Sequence, residues 1–563
     1  MSKPRRYVWW AWLIAAAVLI VGCVSTMRAE RERPANAPAE PGGLARKPAA
    51  ASAALPTPTP EAQRASGGVS TPAPGPKFTL PIGVIAGVVR DAEGPVAGAR
   101  VRVKLTDYVT TSAADGTFRL EGLPITRPVS VTAWHEGYYV GHNTGTPGLA
   151  PITITMKPHY TTDNLDWEWF TFDGVMGSAS CAPCHPSYDE WKADAHGQAG
   201  QNPRFLSVYE GTDVHGNQSP ITQFDENGYV QPDPDVPYYG PGLKTDYPDR
   251  DWNCAACHTP VASKLDPDDT CAWSGCHMAT TAFLSDEVNY GVDPANLTGY
   301  QADGIGCDFC HKIGEVYLDP KTGLPYPDRP GISSMRIYRP EPENELFFGT
   351  HDDTTRRVTY LPLLEESAYC APCHYGVFNG VVGAPGEVAG GTVVYNSYGE
   401  WLESPYSDPE TGQTCQDCHM PTVDYDYYVY PEMGGEIRDP EGIHNHLMPG
   451  VTDKAFMQNA VTMTATASLE GNLVHVQVSI TNDNTGHHVP TGAPMRHLIL
   501  VVEARDAGGK TLALVDGPVL PAWTGNYAGE PGEAYAKLLK DEWSGEMPTG
   551  AYWRPIQLVS DNR

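Results

Sequence analysis

Basic residues are scarce in this sequence. It has 38 Lys and Arg against 68 Asp and Glu, which gives a formal net charge of −30 over 563 residues. Nucleic-acid phosphates would repel so acidic a chain, and nucleic-acid binding is therefore disfavoured as a function. The acidity instead favours solubility and cationic partners.

Long uninterrupted helices are also disfavoured by the composition. Gly and Pro contribute 57 and 52 of the 563 residues, which is well above their average usage. Both residue types end helices and mark turns, so the composition argues for many turns and irregular segments and against a long helical bundle or a coiled coil. The length corresponds to roughly three domains of ~150 residues.

The apolar run at the N-terminus is short for a membrane span. Residues 7–22 give 16 apolar positions, where a span needs about 20. The run follows a basic stretch that includes Lys3, Arg5 and Arg6, so we predict that residues 1–27 are an export signal. It ends in Leu-Ile-Val-Gly-Cys23, which resembles a bacterial lipobox and implies a lipid anchor on Cys23. The alternative is an uncleaved signal anchor, and both interpretations place the chain in the periplasm or at the cell surface.

Large apolar residues are nearly absent from residues 28–79. Ten Pro and thirteen Ala occupy residues 28–77. Such a segment cannot bury a core and stays extended, so we predict a tether between the anchor and the folded part.

Residues 80–158 have the alternation of a small β-sandwich. Short alternating segments predict strands, and Asp115-Gly116 predicts a hairpin turn; the predicted strands are 82–90, 99–105, 117–120, 129–133 and 152–156. The segments around Gly87-Val-Val-Arg-Asp91, Ala114-Asp-Gly-Thr-Phe118 and Gly137-Tyr-Tyr139 resemble the carboxypeptidase regulatory-like family. That resemblance implies packing or adhesion rather than peptidase chemistry.

No cysteine is left for a separate disulfide framework. Apart from Cys23, the cysteines form six pairs, and a histidine follows each pair directly. Five pairs read Cys-x-x-Cys-His, whereas the third has four residues between its cysteines. The motif residues are Cys181, Cys184 and His185; Cys254, Cys257 and His258; Cys271, Cys276 and His277; Cys307, Cys310 and His311; Cys370, Cys373 and His374; and Cys415, Cys418 and His419.

Cys-x-x-Cys-His is the attachment signature of c-type haem. Two thioether bonds hold the porphyrin, and the adjacent histidine ligates the iron as the proximal ligand. The sequence therefore predicts about six haem c groups, of which the one at Cys271 has the alternative of a structural or metal-binding cysteine pair. Zinc or a dithiol redox pair is the general alternative, but a zinc site does not require a histidine directly after the second cysteine.

The remaining histidines are numerous enough to give every iron a second, distal ligand. Our distal candidates are His196, His215, His351, His444, His446, His487 and His488. Only 12 residues separate His258 from Cys271, which leaves no room for a domain around each haem. We therefore expect one mainly α and irregular haem-packed domain over residues 160–450.

Residues 455–563 predict a second β-sandwich. Segments 461–469, 473–481 and 497–503 alternate or are apolar, with a hairpin turn at Glu470-Gly-Asn472. We expect the loop after the second strand, which carries His487 and His488, to reach the haem region.

A wider resemblance covers roughly residues 165–563. The segments Glu190-Trp191 with Ala195-His196, Tyr398–Tyr406 before the Cys415 motif, and Asn482–Gly492 are similar to multihaem cytochromes c of the cytochrome c-554 group and related extracellular electron-transfer cytochromes. The resemblance implies bis-histidine haems that pass electrons outside the cytoplasm. It departs at the Cys271 motif and also after Val559, where such domains usually continue, so an edge strand is expected to be missing from the last domain.

Three functions remain open from the sequence. The first is an electron carrier, not an enzyme, whose partners are other cytochromes or a membrane quinol-linked donor. The second is a reductase or oxidase of a small nitrogen or sulfur compound; it needs one open iron, and the sequence has no Cys-x-x-Cys-Lys variant. The third is a protomer of a homo-oligomer or extracellular cytochrome filament.

Overall fold

The computed structural model describes residues 83–563 except 162, 165–169, 227–229, 232–234, 250–253, 264–292, 328, 330, 341–344 and 383–387. The described residues divide into two compact units. The β-unit contains residues 83–159 together with His351–Tyr360. The motif unit contains the described residues of Tyr160–Thr350 and Leu361–Arg563.

The strands are short. In chain order they are β1 (Ile85–Arg90), β2 (Arg100–Val103), β3 (Val109–Thr111), β4 (Thr117–Leu120), β5 (Val129–Trp134), β6 (Tyr138–Tyr139), β7 (Gly141–Gly145), β8 (Ile152–Thr155), β9 (Lys157–Pro158), β10 (Thr171–Phe172), β11 (Val175–Met176), β12 (Gln223–Phe224), β13 (Val230–Gln231), β14 (Ile313–Val316), β15 (Met335–Ile337), β16 (Phe347–Gly349), β17 (Val358–Tyr360), β18 (Gly376–Val382), β19 (Val388–Tyr395), β20 (Thr462–Glu470), β21 (Leu473–Thr481), β22 (Leu498–Val501), β23 (Gly532–Tyr535), β24 (Lys537–Asp541) and β25 (Ile556–Asp561).

The α-helices are also short, as the glycine and proline content predicts. They are Ser187–Ala193, Pro203–Glu210, Leu243–Asp246, Ala255–His258, Pro260–Ser263, Cys307–Cys310, Ala371–His374, Ser397–Leu402, Cys415–His419 and Lys454–Asn459. Turns of 3-10 helix add Ser178–Ser180, Ala199–Gln201, Pro294–Asn296, Gly299–Ala302, Gly331–Ser334, Pro362–Glu365, Ser367–Tyr369, Pro405–Ser407, Pro431–Met433, Pro440–Gly442 and Ala522–Tyr527. Within the described residues, no helix combines the length and the apolar character that crossing a membrane requires.

Two sheets share one core in the β-unit, which is β-rich as predicted. In one sheet β1 lies between β4, which is antiparallel to it, and β8, which is parallel. The other sheet has the order β3-β2-β5-β7. Alternation in β2 buries Val101 and Val103 and turns Arg100 and Arg102 away from the core. The core side chains come from both sheets and include Ile85, Val89, Val101, Phe118, Val131 and Ile154.

The turn at Asp115-Gly116 does not close a hairpin. Gly116 has φ +76°, a left-handed conformation that suits a tight turn. However, the preceding strand β3 pairs with β2, and the following strand β4 pairs with β1 in the other sheet. The predicted hairpin is therefore wrong, because the turn signal is the same whether the chain stays in one sheet or passes to another.

The segment His351–Tyr360 packs within the β-unit although it lies between two cysteine motifs in the sequence. The Nε atoms of Arg100 and Arg102 lie 2.9 and 3.1 Å from the carboxylate oxygens of Asp352. The indole N–H of Trp134 donates to the carbonyl oxygen of Tyr360 at 3.0 Å. The structure thus groups His351 with the β-unit rather than with the motif helices.

The motif unit holds several small antiparallel pairs and four small hydrophobic clusters. In its C-terminal part, β20 pairs with β21, β22 with β23, and β24 with β25. The turn between β20 and β21 has Gly471 at φ +63°, at the position predicted for a hairpin. Buried residues that precede residue 450 in the sequence pack in the same hydrophobic clusters as residues that follow it. In one of these clusters, Tyr209 and Leu243 pack with Ala551 and Trp553.

Candidate metal and cofactor site

Each described motif forms a single helical turn. In four of them the histidine N–H donates to the carbonyl oxygen of the first cysteine, four residues earlier, at 3.0 to 3.2 Å. The fifth is the helix Cys415–His419, whose first turn has a capping box between Thr414 and Asp417. Residues four apart share one helix face, so this turn presents the first cysteine and the histidine on the same side.

The ten cysteines of these five motifs are free, half-buried thiols. They are Cys181, Cys184, Cys254, Cys257, Cys307, Cys310, Cys370, Cys373, Cys415 and Cys418. Cys271, Cys276 and His277 of the remaining motif, the third in chain order, and Cys23 lie outside the described residues.

Three motif histidines each face a second histidine from another part of the chain. The ring centres of His374 and His196 are 6.1 Å apart, those of His311 and His446 are 6.3 Å apart, and those of His419 and His487 are 6.1 Å apart. Two imidazoles that bind one metal ion from opposite sides have centres about 6 Å apart, because each nitrogen lies ~2 Å from the ion and ~1 Å from its ring centre. The three pairs have this spacing.

In four histidines, a hydrogen bond at Nδ1 leaves Nε2 as the ring nitrogen that can bind a metal ion. The Nδ1 atoms lie close to backbone carbonyl oxygens: those of Ala199 for His258 (3.0 Å), Phe348 for His311 (2.6 Å), Pro449 for His419 (2.8 Å) and His488 for His487 (2.9 Å). A carbonyl oxygen only accepts, so Nδ1 carries the proton and Nε2 keeps its lone pair. That is the tautomer of a metal-ligating histidine with a supporting hydrogen bond.

His196 is held in the same tautomer by a carboxylate. Its Nδ1 lies 2.7 Å from Oδ1 of Asp194, which also accepts the backbone N–H of His196 at 2.8 Å. The short loop after the helix Ser187–Ala193 thus fixes the ring that faces His374.

Burial lowers the pKa of two of the paired imidazoles, those of His374 and His446. It is the main cause that lowers the pKa of His374 to about 3, with a smaller contribution from His196. Burial, followed by His311, lowers the pKa of His446 to about 4. Histidine binds a metal ion in its neutral form, so both rings are in the ligating state at neutral pH.

The other predicted distal residues have different surroundings. His215 lies in an exposed turn, where its backbone N–H donates to Asp213. His444 follows the Cys415 motif, and its Nδ1 lies 2.8 Å from the carbonyl oxygen of Met420. The side chain of His488 is half exposed, with Nδ1 3.5 Å from a carboxylate oxygen of Glu400.

His258 lies against an aromatic ring. Its ring stacks on Phe205 with centres 3.7 Å apart and planes within 8°. Among the described residues, no histidine ring lies opposite it at the spacing of the three pairs.

Cysteine thiols of different motifs interact with each other. The Cys307 thiol lowers the pKa of the Cys181 thiol, and the Cys370 thiol lowers that of Cys415 to about 7. The Cys257 thiol, in contrast, raises the pKa of the Cys373 thiol. The hydroxyl of Tyr369, the residue directly before the Cys370 motif, donates to the carbonyl oxygen of Cys310 in the Cys307 motif at 2.7 Å. These contacts bring the five described motifs into one assembly.

Comparison with known proteins identifies one domain. Residues 84–157 match the family model of the carboxypeptidase regulatory-like domain. This confirms the predicted N-terminal resemblance.

A solved structure also matches over a larger part of the chain. It is a penta-heme cytochrome c552 from Thermochromatium tepidum, with 20% identity, a TM-score of 0.40, and coverage of 69% of this chain and 84% of that one. No curated protein matches the sequence significantly.

The two alternatives to haem, a zinc site and a redox-active dithiol, can be compared with the grouping of the side chains and with the pKa values of the cysteines. A structural zinc site takes four ligands, and the described residues contain no group of three or more His, Cys, Asp or Glu side chains that could hold a metal ion. A redox-active dithiol has a lowered cysteine pKa, whereas burial raises the pKa of Cys254 and of Cys310 to about 12. Cys181 and Cys415 have lowered pKa values, but each responds to a thiol of another motif.

The residues that position the motifs were not predicted from the sequence. Ser178 and Ser367 accept the backbone N–H groups of Cys307 and Cys415, at 3.0 and 2.9 Å. Glu190 and Glu400 accept backbone N–H groups of the loops that carry distal candidates. A signal was present, because Ser-Tyr-x-Glu-Trp occurs at 187–191 and again at 397–401.

Proposed function

We propose that the protein is a multihaem c-type cytochrome that moves electrons through closely packed bis-histidine haems outside the cytoplasm. The observation that carries this proposal is the set of three histidine pairs, in each of which a motif histidine lies about 6 Å from a histidine of another segment. When bound, haem iron supplies one-electron redox chemistry.

The residues divide this task between them. The paired cysteines attach the group, and the motif histidines are the proximal ligands. We assign distal roles to His196, His446 and His487, and the ring spacing opposite His374, His311 and His419 supports this assignment. The interacting thiols of neighbouring motifs support closely packed haems. Electron exchange with other cytochromes or a quinol-linked membrane donor, anchoring through Cys23, and assembly of several copies are parts of the same proposal.

Production in a host with a cytochrome c maturation system tests the proposal. We expect about six covalent haems per chain by the pyridine haemochrome assay, sharp Soret and α bands after reduction, and mainly low-spin ferric signals by EPR. The double variant C307S/C310S should lose one haem, whereas H215A, in an exposed turn, should keep the wild-type spectrum. A matured chain without these bands, or one that contains zinc, would refute the proposal.

His258 supports a second candidate function. In the described part of the chain its ring stacks on Phe205 and is not paired with a histidine, and an iron with an open position could bind and reduce a small nitrogen or sulfur compound. Carbon monoxide or nitrite binding by the wild-type protein, at about one site per chain, would favour this enzyme. Full low-spin character with no ligand binding would favour the carrier.

A further inference from the structure

Two pairs of cysteine motifs are joined by the same set of contacts. The first motif pair consists of the motifs that begin at Cys181 and Cys307, and the second motif pair consists of those that begin at Cys370 and Cys415. In each pair the thiols of the two first cysteines interact. The leading segments are alike, since Ser178-Ala-Ser-Cys-Ala-Pro-Cys-His185 and Ser367-Ala-Tyr-Cys-Ala-Pro-Cys-His374 differ only at the third position.

A buried serine caps the second motif in both pairs. Ser178 and Ser367 each lie three residues before the first cysteine of the leading motif, and both are at most 3% exposed. The backbone N–H of Cys307 donates to Oγ of Ser178 at 3.0 Å, and that of Cys415 donates to Oγ of Ser367 at 2.9 Å. Each serine therefore satisfies one N–H at the start of a helix that has no partner within the helix.

A tryptophan makes the next equivalent contact. Trp191 and Trp401 end the repeated Ser-Tyr-x-Glu-Trp segments. Their indole N–H groups donate to the carbonyl oxygens of Ile305 and Gln413, at 2.8 and 2.9 Å. Both acceptors lie two residues before the first cysteine of the second motif.

The glutamate of each repeated segment binds the loop that carries a distal histidine. An oxygen of Glu190 accepts the backbone N–H of His446 at 2.9 Å, and the His446 ring faces His311 of the first motif pair. An oxygen of Glu400 accepts the backbone N–H of His488 at 3.2 Å. The adjacent His487 ring faces His419 of the second motif pair.

Other groups complete the surroundings of the two carboxylates. Glu190 also accepts the hydroxyl of Tyr425 at 2.9 Å. Glu400 also accepts the hydroxyl of Thr491 at 2.5 Å and the guanidinium of Arg563 at 2.9 Å. Glu400 thus has more hydrogen-bond partners than Glu190, so a substitution of Glu190 removes fewer contacts and is the simpler test.

We infer that the motif unit contains two copies of one two-haem unit, and that Glu190 and Glu400 are its equivalent positioning residues, which hold the distal histidines over the second haem of each pair. The inference rests on the proposed function. The copies are not independent, since His196, which follows the first motif of the first pair, faces His374 of the second pair. They also differ, because Tyr406 occupies the place after Trp401 that His196 occupies after Trp191.

The test uses haem-loaded full-length E190A and E400A. We expect each variant to gain about one high-spin haem per chain over the wild type in EPR and in the high-spin absorption bands, because the distal loop is released. Added imidazole should return that haem to the low-spin state. E190Q keeps an oxygen acceptor and should remain near the wild type.

Matched controls come from the helix Ser187–Ala193 and from the residue that follows the helix Ser397–Leu402. Asp189 and Glu403 are exposed carboxylates next to the positioning residues or close to them in sequence, and D189A and E403A should leave the spectrum unchanged. An E190A spectrum equal to the wild type, or high-spin haem that imidazole does not convert, would overturn the inference. If E400A does not fold, E190A with E190Q decides. A wild-type chain without covalent haem would instead refute the proposed function.

Discussion

Arg554 forms a bidentate ion pair with Asp246, 308 residues earlier in the chain. Nε and Nη2 of Arg554 donate to the two carboxylate oxygens of Asp246 at 2.7 and 2.8 Å, and Nη1 donates to Asp541 at 2.7 Å. All three side chains are at most 1% exposed. A planar guanidinium matches a carboxylate in this way, so the contact fastens the C-terminal part of the motif unit to its central part.

Removal of the guanidinium should therefore destabilise the motif unit strongly. We expect R554A to lower the free energy of unfolding by about 3–5 kcal/mol, because two buried carboxylates lose their partner. Denaturant unfolding measures the change. R505A, which removes a solvent-exposed pair with Glu503, is the control and should have little effect. Equal stability of R554A and the wild type would contradict the prediction.

Much of the local structure could be predicted from residue patterns. The strand 473–481 and the turn at Gly471 follow from alternation and from a glycine that adopts a positive φ. The positions of the Cys-x-x-Cys-His motifs follow from the spacing of their cysteines and histidines in the sequence. These features depend on contacts between residues that are near in sequence, which a pattern can report.

The remaining features depend on contacts between distant residues. Nothing local indicates that the carbonyl oxygen of Phe348 supports His311, or that His351–Tyr360 belongs to the β-unit. The pairing of His196 with His374 rather than with the motif beside it also depends on how the chain folds back. The repeated Ser-Tyr-x-Glu-Trp segment was readable in the sequence, but its meaning depends on the bonds of Trp191 and Trp401.

The two buried serines should have similar energetic effects. We expect S178A and S367A each to lower the free energy of unfolding by about 1 kcal/mol, because each leaves one helix-start N–H without its acceptor. Denaturant unfolding of the two variants measures this. S544A removes a side-chain bond to Asp541 elsewhere in the unit and provides a comparison outside the motif pairs. A loss confined to one of the two serine variants would contradict their equivalence.

Gly331 should tolerate alanine less well than Gly299. Both have positive φ, +57° and +60°. A Cβ at Gly331 would lie 2.5 Å from the carbonyl oxygen of Ala256 and 2.8 Å from Sγ of Cys257, whereas one at Gly299 meets nothing within 4 Å. Backbone strain of about 1 kcal/mol is common to both variants.

The difference between these variants therefore shows how closely residue 331 packs against the Cys254 motif. We expect G331A to be less stable than G299A in denaturant unfolding and to contain less total haem per chain in the pyridine haemochrome assay. Equal stability and equal haem content of the two variants would show that the Cys254 motif can move away from residue 331.

The hydroxyl of Tyr138 should give the β-unit part of its pH dependence. It donates to Oδ2 of Asp91 at 2.8 Å, and this bond is the largest cause of the lowered pKa of Asp91. A carboxyl group whose pKa is lower in the folded state adds stability above its unfolded pKa of ~3.9, and that stability is lost as the pH falls through the folded value. The Y138F variant should therefore be less stable than the wild type at neutral pH, and the difference should vanish in strong acid.

Thermal unfolding of the β-unit from about pH 7 to about pH 2 measures this difference. Y108F, a tyrosine of the same unit, should instead differ from the wild type by an amount that does not change with pH, and a Y138F difference equally independent of pH would contradict the role of Asp91.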